Sequence, residues 1–172
     1  MKLDSDDFDL FDLPRRHVLD RAALDARWRA LQAEAHPDRF ASEGTAARRI
    51  AMQWSVRINE AYQRLKDPLA RAGYLCELAG VPVQAETNTS MPASFLMQQM
   101  AWREALDEAE DLDAVEALAD EVRAARDKGL AALATLIDDA QDYEAASAQV
   151  RALMFVERFA ESIDQRLEAL GQ

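Results

Sequence analysis

The chain has 172 residues, 32 Asp/Glu against 20 Lys/Arg for a formal charge of −12, and 49% hydrophobic residues; that length carries one or two small domains. Five Gly, five Pro and abundant Ala, Leu, Glu and Arg point to an all-α protein and against β-rich architectures. One cysteine, Cys76, excludes an internal disulfide and a thiolate metal cage and suits a reducing compartment.

The acidic start Met1-Lys2-Leu3-Asp4-Ser5-Asp6-Asp7 contains no apolar run, so no signal peptide or membrane span is expected and the cytoplasm is the expected location. Splitting the chain at Gly80 localises its charge. Residues 1–80 carry 13 basic and 13 acidic side chains, whereas residues 81–172 carry 7 and 19. An acidic half argues against nucleic acid and anionic membranes as partners and favours a protein with a basic surface. Simple solubility is the alternative reading of the same charge.

In chain order, Phe8-Asp9-Leu10-Phe11-Asp12-Leu13-Pro14 reads as a short apolar helix or turn, a lid on a core, stopped by Pro14, whose ring removes a donor and clashes with a continuing helix. Asp20 is a suitable N-cap for a second helix, in which Leu24, Trp28, Leu31 and Ala35 repeat on one face. Pro37 disfavours helical geometry at His36, so this helix ends there and a loop runs to about Gly44. Thr45 is the expected cap of the next helix, with Ala51, Trp54, Ile58, Ala61 and Leu65 as its apolar stripe and Arg48, Arg49, Arg57 and Arg64 largely off it. The two helices are expected to form an antiparallel hairpin with His36-Pro37-Asp38 at its tip. Asp67-Pro68 starts a further helix closed by Gly80.

Residues 81–91 read as a linker. Three long helical patterns follow, expected over residues 92–109, from Asp113 to about Ile137, and from Asp142 to about Leu170. Asp113 with Glu116 resembles a capping box. Val115, Leu118, Val122, Ala125, Gly129, Ala132 and Leu136 form the stripe of the second pattern, and Val150, Leu153, Val156, Ala160, Ile163, Leu167 and Leu170 that of the third. Short connections make an antiparallel three-helix bundle over residues 92–172.

The first of these helices carries more apolar residues than one core stripe can use. At 100° per residue Phe95, Trp102 and Leu106 share one side, while Leu96, Met97 and Met100 lie roughly opposite, beside Glu104, Asp107 and Glu108. The aromatic side suits the bundle core. The second side is either a docking patch rimmed by carboxylates or a face covered by the N-terminal half. Phe155 falls off the third helix's stripe and either extends the patch or packs at a helix edge.

At the hairpin tip, His36 and Asp38 invite an acid–base reading. No nucleophile, oxyanion donor array or phosphate-cradling glycine loop accompanies them, and His17 has no metal-ligand spacing to His36. Enzymatic activity is not expected. A carboxylate at a rigid exposed bend can instead pair with a partner's arginine.

The short entry helix, the helix before His36-Pro37-Asp38, Ile58-Asn59-Glu60-Ala61-Tyr62-Gln63-Arg64-Leu65-Lys66-Asp67-Pro68 and Arg71-Ala72-Gly73-Tyr74 together resemble a DnaJ-type J-domain. Phe11-Asp12-Leu13-Pro14, His36-Pro37-Asp38-Arg39-Phe40-Ala41, Ser94-Phe95-Leu96-Met97 and Arg103-Glu104-Ala105-Leu106-Asp107-Glu108 extend the likeness along nearly the whole chain to the iron–sulfur co-chaperone family HscB. That resemblance implies a J-domain over residues 1–80 and an acidic three-helix bundle over residues 92–172. It implies a co-chaperone that binds the cluster scaffold IscU, delivers it to the Hsp70 HscA and stimulates its ATPase; the alternative is a J-domain co-chaperone for a different client. His36, Pro37 and Asp38 would then contact the Hsp70, helped by Arg21, Arg27, Arg29 and Arg39, while Leu96, Met97, Met100, Glu104, Glu108 and Phe155 would contact the scaffold. A monomer without cofactor or metal is expected.

The chain departs from the family pattern at three points. Glu34-Ala35 stand where many J-domains have a basic residue and Tyr, Ala101 stands where the family often has a carboxylate, and the N-terminal cysteines of some eukaryotic relatives are absent.

Overall fold

The computed structural model describes residues 2–171, all helices and connections, with no strand among them. The elements are α1 (Asp7–Leu10), α2 (Arg21–Ala35), a 3-10 turn (Pro37–Phe40), α3 (Thr45–Lys66), α4 (Pro68–Leu78), α5 (Ala93–Glu108), α6 (Leu112–Ala134), a π turn (Thr135–Asp139) and α7 (Tyr143–Leu170). They form two compact units, the first ending at Arg71 and the second beginning at Ala72. The division falls inside α4, earlier than the Gly80 boundary suggested by charge.

In the first unit α2 and α3 form the expected antiparallel hairpin. Its partners run in opposite senses: the Tyr62 hydroxyl donates to Asp25 (2.7 Å), Trp28 Nε1 to Asn59 Oδ1 (3.1 Å), and Gln32 Nε2 to the same Asn59 oxygen (2.8 Å). The Trp28 and Tyr62 rings stack at 4.4 Å. Phe8, Phe11, Leu24, Ile58, Ala61 and Leu65 make the core, so the short N-terminal helix does cover the hairpin. Burying six such apolar groups contributes about 1.5–3 kcal/mol for each large side chain.

Helix α1 does not run to Pro14. It ends at Leu10 with Phe11 as C-cap, and Asp12 beyond it, at φ 53°, lets Leu13 N–H reach Phe8 O and Asp12 N–H reach Asp9 O, the paired bonds of a Schellman cap, with Pro14 following. Asp20 caps α2 through Ala23 N–H as expected, whereas the N-cap of α3 is Gly44, at φ 96°, and Thr45 is already helical. Asp7, in the acidic start of the chain, is fully buried and pairs with Arg57 at 2.9 Å and Arg64 at 3.3 Å. Two arginines off the apolar stripe of α3 therefore reach a buried carboxylate.

In the second unit α5, α6 and α7 form an up-down-up bundle. Arg126 meets Glu157 and Gln149 meets Gly129, which sets α6 antiparallel to α7. Phe95 against Phe155 and Trp102 against Phe159 set α5 parallel to α7. Asp111, rather than Asp113, caps α6 through Ala114 N–H at 2.8 Å. Past Gly129 the buried positions are Leu133 and Ile137, not Ala132 and Leu136. A straight helix turns every 3.6 residues, so a strict heptad stripe drifts off the core by its end. Gly129 allows close approach of α7, since a Cβ there would stand 2.7 Å from Leu153 Cδ2.

Residues 81–91 belong to this unit and are fastened to α7. The buried Arg151 donates from Nε to Ser90 O (2.6 Å) and from Nη1 to Val83 O and Ser147 Oγ (each 2.8 Å). At the far end, Arg166 reaches Leu106 O (3.3 Å) and Ala109 O (3.5 Å), satisfying carbonyls that a helix end leaves without partners. Gly80, at φ 82°, closes α4 with Val81 N–H on Cys76 O and its own N–H on Glu77 O.

Candidate functional site

Each unit presents one exposed group of the residues singled out by sequence. In the first, the proline ring holds His36 extended (φ −62°, ψ 128°), ending α2. The final carbonyls of α2 are taken up from outside the helix: Ser55 Oγ donates to Ala35 O at 3.3 Å and Arg39 Nη1 to Ala33 O at 3.4 Å. The turn is thus braced by α3 on one side and by its own arginine on the other.

Within the turn Asp38 N–H donates to His36 Nδ1 at 3.2 Å. With Nδ1 accepting, the neutral ring carries its proton on Nε2, which faces outward as a donor. The Asp38 side chain is 93% exposed, and Oδ2 lies 3.7 Å from His36 Nδ1, beyond hydrogen-bond length. The geometry is that of a rigid corner offering a carboxylate to a partner, not of an imidazole oriented by a carboxylate for proton abstraction.

The four arginines expected around this corner have different partners. Arg21 bonds Asp25 at 2.9 Å and lies 5.9 Å from the Tyr62 ring centre; Arg27 pairs with Asp12 at 3.3 Å; Arg39 folds back on α2. The Tyr62 hydroxyl, and after it Arg21, hold the Asp25 carboxyl below its usual range. Arg29 points away from the stripe, and among the described residues no carboxylate lies within 4 Å of it.

In the second unit a closed cluster of four rings orients α5. Phe95 meets Phe155 edge-on (5.8 Å) and Trp102 edge-on (6.0 Å), while Phe159 stacks on both Phe155 and Trp102 (5.9 Å). Edge-to-face and offset pairs each add about 0.5–1.5 kcal/mol beyond burial, so rotating α5 would be costly. With that side locked, Leu96, Met97 and Met100 stand outward at 48%, 75% and 72% exposure. Glu104 and Glu108 are exposed on the same side. Five of the six residues expected at this surface are therefore together in the open.

Phe155 is the exception. It is buried inside the ring cluster, with the Arg103 guanidinium 5.2 Å above its ring, and borders a groove between α5 and α7. Its place off the stripe follows from α7 having two partners: Val156 and Ile163 lie among the α6-facing positions, while Phe155 and Phe159 meet α5. Asp7 and Arg151 also escaped sequence reasoning, because nothing in a charged residue's local sequence marks it for burial.

Residues 91–164 match the family model described as the HSCB C-terminal oligomerisation domain. The chain is 55% identical over 159 residues to a "Co-chaperone protein HscB homolog" of Bordetella petrii, covering 92% of this chain and 94% of that protein. Chaperone HscB from Vibrio cholerae superposes with a TM-score of 0.80 at 35% identity, covering 96% of this chain and 99% of the other. The crystal structure of human co-chaperone protein HscB gives 0.87 at 27% identity, covering 96% and 84%. No helix of the described residues is long and apolar enough to cross a membrane. With its hairpin-borne His-Pro-Asp turn, its helical bundle and these relatives, the chain belongs to the HscB family of co-chaperones.

Proposed function

We propose that this chain binds an IscU-type iron–sulfur scaffold through the outer face of α5 and an HscA-type Hsp70 through His36, Pro37 and Asp38, stimulating the ATPase of the latter in iron–sulfur cluster assembly and transfer. The observation that carries the reading is the double-sided α5: one side locked by four rings, the other an apolar patch of Leu96, Met97 and Met100 rimmed by Glu104 and Glu108. Apolar centres with charged rims are how protein interfaces are built, and methionine adapts to a partner's shape.

Phe155 takes part from the wall of the adjoining groove. Arg21, Arg27, Arg29 and Arg39 supply positive charge around the Hsp70 corner, with Arg29 the most available. The chain makes and breaks no bonds itself; linking two binding sites raises the local concentration of the client beside the Hsp70. It works as a cytoplasmic monomer without cofactor or metal, apart from nucleic acid and membrane.

A pull-down from cytosol with the full chain as bait tests this. Recovery of both scaffold and Hsp70 is expected. An Hsp70 without scaffold would make the chain a co-chaperone for a different client, and recovery of neither would refute both contacts.

A further inference from the structure

The half of the chain after Gly80 holds only seven basic residues against nineteen acidic, yet two of the seven, Arg103 on α5 and Arg158 on α7, line one groove. The groove has a volume of about 360 Å³ and is lined also by Phe155, Phe159, Ser162 and the carboxylate of Asp107. Among the described residues neither guanidinium has a carboxylate within 4 Å. Two arginines without a carboxylate partner, Arg103 over the Phe155 ring at 5.2 Å and Arg158 beside it in the lining, form a local reversal of charge in an otherwise acidic unit.

Along α5 the groove residues follow on from the patch. Leu96, Met100, Arg103 and Asp107 follow at steps of four, three and four along one line of the helix, while Glu104 and Glu108 border the other flank of Met97 and Met100. Toward α7 the apolar face is therefore bordered by two arginines against the single carboxylate of Asp107, a net positive rim, and on the other flank by carboxylates alone.

We infer that the Arg103/Arg158 groove receives an Asp or Glu side chain of the same client that covers Leu96, Met97 and Met100, with an apolar neighbour of that residue resting on the Phe155 and Phe159 rings, and that the two oppositely charged rims fix the direction in which the client lies on α5. The inference rests on the proposed scaffold contact. Guanidinium groups partly shielded by aromatic rings bind carboxylates with fixed geometry. Rims of opposite sign disfavour the reversed placement, because it would set like charges against each other on both flanks.

Titration calorimetry of the purified scaffold into the full chain, at low and high salt, tests the inference. Arg103→Gln/Arg158→Gln should weaken binding about tenfold at low salt, with a smaller loss at high salt and an unchanged melting temperature, since exposed charge contacts are screened. Arg158→Glu alone should weaken it at least as much. If Arg158→Glu leaves affinity within about twofold while Leu96→Ala/Met97→Ala/Met100→Ala abolishes binding, the groove is unused and the apolar contact stands. If the glutamine pair loses affinity equally at both salt concentrations, or melts lower, the arginines act by packing and the inference fails. If neither set of variants changes binding, the scaffold reading falls with it.

Discussion

Met97 and Trp102 leave α5 in opposite directions, the methionine 75% and the indole 2% exposed. Substitutions at the two positions should separate binding from stability. Leu96→Ala/Met97→Ala/Met100→Ala should weaken scaffold affinity about thirtyfold or more, as loss of a central interface cluster does, while the melting temperature holds. Trp102→Ala should destabilise the bundle by about 3–5 kcal/mol, read from denaturant unfolding. Unchanged affinity with a sharp fall in melting for the triple variant would mean that the patch is core.

At the hairpin corner, Asp38→Asn keeps shape and removes charge from a side chain that supports nothing else but sits 93% exposed. Stimulation of Hsp70 ATP hydrolysis should be lost, with circular dichroism and scaffold affinity unchanged. His36→Gln should act similarly and cost about 1 kcal/mol of local stability at most, because Nδ1 accepts one backbone hydrogen bond. Undiminished stimulation in either variant would remove the corner from the contact.

Asp7→Ala leaves Arg57 and Arg64 facing a buried site without their carboxylate. Arg57 keeps the Leu3 and Ser5 carbonyls and the Arg64 side chain is 39% exposed, so losing the carboxylate should cost about 1–3 kcal/mol. Hydrogen exchange of α3 amides should accelerate accordingly, with α6 and α7 amides unaffected.

Gly129→Ala sets two effects against each other. Alanine is favoured over glycine in a helix by about 1 kcal/mol, but its Cβ would lie 2.7 Å from Leu153 Cδ2 and 2.9 Å from Gln149 Nε2. Leu153 is buried and has no room to swing away, and overpacking costs about 1–3 kcal/mol, so a net loss near 1 kcal/mol is expected. Adding Leu153→Ala should relieve the clash, giving a favourable coupling in a double-mutant cycle.

Burial pushes the Cys76 thiol up from 9.0 to about 11, against a smaller opposing pull from Arg151. Below pH 9 the thiol is protonated in both folded and unfolded chains and its contribution is constant. Between about pH 9 and 11 the unfolded chain loses this proton first, so stability falls as pH rises through that window. A thiol reagent at neutral pH should label Cys76 only as fast as the chain unfolds; rapid labelling of the native protein would contradict its burial.

What the amino-acid sequence determined alone follows from periodicity and punctuation. Stripes at three-and-four spacing, Asp20 as a cap, Pro37 after His36 and Gly80 after α4 are local facts, and they produced the hairpin, the corner, the three-helix bundle and the double-sided α5. The tertiary structure decided what depends on partners distant in sequence. Asp7 is buried because Arg57 and Arg64, fifty and more residues away, close over it. Residues 81–91 are strapped down because Arg151 reaches their carbonyls. Phe155 lies inside because α7 packs on two helices and so needs two buried stripes. Arg21, Arg27 and Arg39 each find a different acceptor. Charge gains its meaning from the groups brought within a few ångströms of it, and only the packed chain specifies those.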